Sequence, residues 1–155
     1  MRLVMFGAAL LFVTPSLAIA QDHKTGHAMK ADQLTWGPAP PVLPKGAQIA
    51  VLAGNPEKTG LFTARLKMPA GYKVPAHNHP TAEAVTVISG DFGFGMGDML
   101  DETKAEKLPA GGFVDLPSNM NHYAMALTDT VIQISSEGPF AIKYVNPADD
   151  PSRSQ

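Results

Sequence analysis

Alternation is the clearest pattern along the chain. Over residues 61–68, Phe62, Ala64, Leu66 and Met68 fall on one side and Thr63, Arg65 and Lys67 on the other. A period of two predicts a half-buried strand, because successive side chains of an extended chain point to opposite faces. Phe92, Phe94 and Met96 alternate with Gly93, Gly95 and Gly97, a large–small pattern that fits the tapering interior of a small barrel. Further strands are predicted at 47–53, 83–89, 113–116, 123–127, 130–135 and 140–145. Residues 99–107 alone have helix-favouring composition and are read as a loop with room for one helical turn. About eight short strands separated by turn signals such as Gly54-Asn55-Pro56 predict an all-β sandwich, jelly roll or barrel.

The flanks differ from this core. Residues 21–35 are polar, without apolar periodicity, and read as a flexible leader. Trp36-Gly37-Pro38-Ala39-Pro40-Pro41 must be extended, because a residue before proline is driven out of the α region. Trp36 is expected to anchor this arm on the domain. The domain itself is predicted to span 36–147, and 148–155 to form a polar tail.

Composition narrows the class. A length of 155 residues suits one domain, and 45% hydrophobic with 17% charged residues is globular rather than disordered. The formal net charge is -2 with no long basic run, which argues against nucleic acid or an anionic membrane surface as partner. The chain has no Cys, so disulfides, thiolate ligands and Cys nucleophiles are excluded.

The N-terminus reads as a signal peptide over residues 1–20. Arg2 precedes an apolar run over 3–13 that is too short to span a hydrocarbon core of ~30 Å. Pro15 and Ser16 break the run, and Ala18-Ile19-Ala20 supplies small residues for cleavage between Ala20 and Gln21. A periplasmic or secreted protein without a membrane anchor after processing is expected. Its first residues, Gln21-Asp22-His23, could wrap Cu(II) or Ni(II) in a square plane, although cyclisation of Gln21 blocks the amine and a plain polar tail is the simpler reading.

The chemistry-bearing stretch is Gly71, His77, His79, Glu83 and Gly90. Pro75 and Pro80 exclude a helix here, and residues two apart on a strand share a face, so His77 and His79 project together with Glu83 in the same parity. Two imidazoles and a carboxylate converging from one segment make a divalent-metal site. A second stretch, Gly111 to His122, adds a fourth candidate ligand, His122, after a tight turn at Pro117-Ser118-Asn119 in which Asn119 is suited to positive φ. Phe92, Phe94, Met96, Tyr123 and Met125 are candidates for lining a pocket beside it.

Together the two stretches resemble the paired motifs of the cupin superfamily. The first motif is complete in Gly71, His77, His79, Glu83 and Gly90. In the second, Gly111, Pro117 and His122 are on pattern, while Asn119 replaces the turn glycine and Ala126 the final asparagine, neither of them a ligand position. The resemblance implies a small single-domain bacterial cupin: an antiparallel jelly-roll β-barrel with an extended N-terminal arm. It also implies one divalent transition metal (Fe, Mn, Ni, Zn or Cu) held by His77, His79, Glu83 and His122. Four protein ligands would leave an open site. The functions that fit are a metalloenzyme of oxygenase, lyase or isomerase type acting on a small molecule, a non-enzymatic cupin that binds or senses a small ligand or metal, or a structural barrel whose metal only stabilises it. The first is preferred, because an open site is costly to maintain for stability alone. A small-molecule ligand and a second copy of the chain in a homodimer are the expected partners. No catalytic acid or base stands out beyond the ligands.

Overall fold

The computed structural model describes residues 28–154. Eleven strands are described: β1 (Gly37–Pro38), β2 (Gln48–Ala53), β3 (Gly60–Met68), β4 (Lys73–Asn78), β5 (Glu83–Ser89), β6 (Asp91–Met96), β7 (Glu106–Pro109), β8 (Phe113–Leu116), β9 (His122–Ala126), β10 (Thr130–Gly138) and β11 (Lys143–Tyr144). They form a six-stranded sheet, β1-β2-β3-β10-β5-β8, and a five-stranded sheet, β11-β4-β9-β6-β7. The strand pairs are antiparallel, as in β3–β10 and β6–β9. The architecture is a jelly roll built as a sandwich of two sheets, and among the described residues no ladder joins one sheet to the other to close a continuous barrel.

The alternation over 61–68 is that of a strand with one face on the core. Phe62, Ala64, Leu66 and Met68 are buried, and inward residues of the other strands, among them Val74, Val85, Val87, Phe92 and Ile132, meet them. The other face of the same strands is polar. Arg65 Nε donates to Gln133 Oε1 at 3.2 Å, and the Thr63 and Ser135 hydroxyls lie 3.1 Å apart across the ladder.

The proline-rich arm does not run free. Gly37 and Pro38 pair with Ile49 and Gln48, at the sheet edge where a residue lacking an N–H is tolerated. The Tyr72 hydroxyl donates to Pro44 O at 2.6 Å and the Tyr144 hydroxyl to Val42 O at 2.7 Å. Trp36 is held on the sheet by Lys67, whose Nζ sits 4.5 Å from the ring centroid.

Several expectations need correction. The supposed loop over 99–107 ends in β7, which pairs with Asp91 to Phe94; Leu108 is the one apolar residue in β7, too few to betray a strand. The strand expected over 140–145 shrinks to Lys143–Tyr144, because Phe140 turns its N–H to Pro56 O at 2.7 Å instead of to a ladder. The leader and tail hold short 3-10 turns at Ala31–Gln33, Pro147–Asp149 and Pro151–Ser154. Among the described residues no helix is long and apolar enough to cross a membrane. The signal peptide, the Ala20–Gln21 cleavage site and the Gln21-Asp22-His23 motif lie outside the described residues.

Candidate metal centre

A bulge aims the first candidate ligand. The β4–β9 register moves from Val74↔Ala124 to His77↔His122, three residues along β4 against two along β9. The extra residue turns His77 inward on the same side as Val74, and places it directly opposite His122. Their ring centroids are 4.2 Å apart. His79 lies just beyond the end of β4, so it converges through the turn that follows rather than through strand parity with His77. Its ring centroid is 5.0 Å from His77 and 5.2 Å from His122, and it stacks on Phe140 at 4.4 Å. Asn119, at φ 63°, sends its N–H to His79 O at 2.7 Å, so the turn before His122 is docked on the first motif.

Each imidazole is oriented by the main chain. His77 Nδ1 lies 2.7 Å from Pro75 O, His79 Nδ1 2.9 Å from Ala141 O, and His122 Nδ1 2.9 Å from Met120 O. A carbonyl only accepts, so Nδ1 carries the proton in each ring and Nε2 keeps its lone pair. All three residues are buried, and they can bring one nitrogen each within 4.8 Å of one another. His79 Nε2 is buried without a hydrogen-bond partner among the described residues. A native fold rarely leaves such an atom orphaned.

Glu83 reaches the same point from the other sheet, at the start of β5. Its Oε2 is 3.5 Å from His79 Nε2 and 3.8 Å from His122 Nε2, and the residue is 6% exposed. Burial pushes its carboxyl up to about 7. Burial also pulls His77 down to about 3, helped by the neighbouring His122 and His79, and pulls His79 down to about 4. His122 is lowered by the same cause. The four groups therefore resist charge when left to themselves. A divalent cation among them would favour ionised carboxylate and neutral imidazole together, and would satisfy the orphaned nitrogen. The residues fit such an ion: nitrogen and carboxylate donors suit Fe, Mn, Ni, Zn or Cu alike.

A cavity of about 810 Å³ adjoins the histidines, between the sheets. Phe92 and Phe94 line it. Met96, Tyr123 and Met125 do not. Met96 is half exposed at the end of β6, and the glycine face of β6 points away from the cavity, where Tyr123 and Met125 from β9 cover it. The glycines thus make room for side chains across the outer surface of the sheet, not for a tapering interior. Two walls were not placed at the site by the sequence. Val42 and Leu43 come from the arm, and Phe140 from the segment before β11. The arm has no apolar period, and the alternation over 140–145 does not mark the inward face, because Phe140, Ala141 and Ile142 in succession line the cavity.

Residues 24–141 match the family described as the ChrR cupin-like domain. No curated protein sequence matches the chain. Among solved structures, the polyketide cyclase RemF from Streptomyces resistomycificus superposes with a TM-score of 0.68 at 13% identity, over 83% of this chain and 92% of that one. A candidate acetylacetone dioxygenase from Methylibium petroleiphilum superposes at 0.62 with 22% identity, over 84% and 88%. Salicylate 1,2-dioxygenase from Pseudoaminobacter salicylatoxidans, solved with gentisate adducts, superposes at 0.54 with 18% identity, over 67% of this chain and 30% of that one. At these identities the likeness is one of fold. With the family match spanning most of the chain and both motifs converging on one buried cluster, the protein belongs to the ChrR cupin-like family of cupins.

Proposed function

We propose that this protein is an exported cupin that holds one divalent transition metal with His77, His79, His122 and Glu83, and uses it on a small molecule in the adjoining cavity, in chemistry of the oxygenase, lyase or isomerase type. The observation that carries the reading is the shared orientation of the three imidazoles. Three main-chain carbonyls fix the Nδ1 protons, so three Nε2 lone pairs meet in a buried space where His79 Nε2 has no partner among the described residues. A bound ion would act there as a Lewis acid. The chain's own residues would orient the ligand and keep water out through the apolar walls. Solved neighbours named as a cyclase and dioxygenases support small-molecule chemistry by fold likeness.

One observation favours a binding or sensing role instead. Among the described residues, the cavity has no titratable group besides the four candidate ligands and Glu57 at its exposed rim, so no separate acid or base stands ready. Turnover tests decide between the two. The Fe, Mn, Ni and Zn forms are incubated with candidate small molecules while product and oxygen uptake are followed. The site itself is tested by His77→Ala with His79→Ala, which should lose stoichiometric metal and keep a β-rich circular dichroism spectrum. Full metal content in that double variant would refute the assignment. Export rests on residues 1–20 alone; the first residue of secreted protein should be Gln21 or its cyclised form by mass spectrometry.

A further inference from the structure

The cavity is far larger than an ion needs. Its volume of about 810 Å³ matches small-molecule pockets, which run roughly 300–1,000 Å³. Its polar groups sit at two places: the three histidines with Glu83 at the inner end, and Asn55 with Glu57 at the exposed rim. Between them lies a hydrocarbon surface. On one sheet, the cross-strand row Val85↔Ile134↔Ala64↔Val51 runs through three ladder steps, starting two residues along β5 from Glu83 and ending at Val51, which is 46% exposed. At the usual strand spacing that row is roughly 14 Å long. Phe92, Phe94 and Ala124 face it from the other sheet.

Charge is as informative as shape. No Lys or Arg is among the described residues that line the cavity. The basic residues of β3, Arg65 and Lys67, alternate onto the opposite face, where Arg65 is engaged by Gln133. A carboxylate or phosphate lying along this surface would lose its water without gaining a partner, which costs several kcal/mol or more. Glu57 at the rim adds repulsion.

We infer that the cavity accepts a small molecule with one oxygen-bearing polar head at the histidines and an uncharged hydrocarbon body, and that it excludes molecules with an anionic group at the other end. The head of this ligand rests on the metal reading above; the body rests on the cavity walls alone.

The test uses the full chain loaded with zinc, which is redox-inert. Octanohydroxamate and its analogue with a terminal carboxylate, octanedioic acid monohydroxamate, share a metal-binding head and a chain length. Titration calorimetry should find the uncharged chain binding tighter by about tenfold or more. A smaller ratio, or no binding of either to zinc-loaded protein, overturns the inference. Val51→Lys, at an exposed rim position, should bring the two affinities together; an unchanged ratio counts against it. A chain that retains no zinc would defeat the metal reading by itself. The inference is then judged on that metal-free protein, with octanamide against octanedioic acid monoamide competing for the neutral fluorescent probe N-phenyl-1-naphthylamine, under the same criterion.

Discussion

Tyr123 lies directly across the β6–β9 pair from Gly95, so close that a β-carbon on the glycine would overlap the phenol ring. Tyr123 is 2% exposed, and its hydroxyl donates to Asp101 O at 3.0 Å, fixing the loop that covers this face. Gly95→Ala should therefore lower stability by about 1–3 kcal/mol, the usual cost of overpacking. Gly93 faces Met125 in the same way, but a methionine side chain can bend aside. Gly93→Ala should cost less than Gly95→Ala in urea denaturation. A Gly95→Ala midpoint equal to that of the parent would contradict the close approach.

Asn119 offers a backbone test. At φ 63° it occupies a region that glycine enters freely and β-branched residues resist. Asn119→Gly should be tolerated, whereas Asn119→Val should destabilise by roughly 1 kcal/mol or more. Because the Asn119 N–H is bonded to His79 O, the valine variant should also bind metal more weakly. Equal thermal midpoints for the two variants would dispose of this account.

The buried carboxyl and imidazoles oppose each other with pH in the metal-free protein. An unfolded histidine takes up its proton near 6.5, but folded His77 and His79 wait until about 3 and about 4, so they cost stability progressively as pH falls below 6.5. Glu83 acts in the other direction. Raised from 4.5 to about 7, it costs stability above pH 4.5, increasingly up to about 7. The two or three imidazoles outweigh one carboxyl below 6.5, which sets the optimum near that pH. Glu83→Gln isolates the carboxyl: its melting temperature relative to the parent should climb between pH 4.5 and 7 and stay level outside that window. A constant difference across the range would show that Glu83 is not held in this way. With metal bound, the same carboxyl should make affinity decline as pH drops through about 7.

The arm is pinned by two phenols, and each bond is worth about 0.5–1.5 kcal/mol. Removing both, with Tyr72→Phe and Tyr144→Phe, should loosen residues 42–44 and with them one wall of the cavity. Trp36 is the sole tryptophan and sits on this arm, so its fluorescence reports the change without a label. Faster amide exchange and a shifted emission maximum are expected. An unaltered spectrum with unaltered exchange would mean that other contacts hold the arm.

Much of the fold was legible because one face of most strands meets solvent, which makes alternation visible over 61–68 and at 113–116. The candidate cluster was legible because its spacing is stringent: His77, His79 and Glu83 lie in one short segment, and His122 follows a recognisable turn. What escaped has a physical reason in each case. All five residues of β9 are buried, and on the face away from the cavity Tyr123 is bonded to Asp101 of the loop that follows β6. Alternation then tells which residues lie on opposite sides without telling which side is inward. The β4 bulge changes parity between Val74 and His77, so counting by twos from either gives the wrong face for the other. Phe140 reaches His79 across a large gap in sequence, and no local pattern encodes such a contact.

The three carbonyls that hold the imidazoles have an evolutionary consequence. They belong to Pro75, Met120 and Ala141, but every one of those residues contributes only its backbone to the bond. Where a carboxylate side chain orients a histidine, a single codon change can unseat it. Here nearly any amino acid at those three positions offers the same oxygen, provided the backbone path is kept. Related chains should therefore vary freely at these sites while retaining the imidazole geometry, and a comparison of their sequences would overlook the groups that set it.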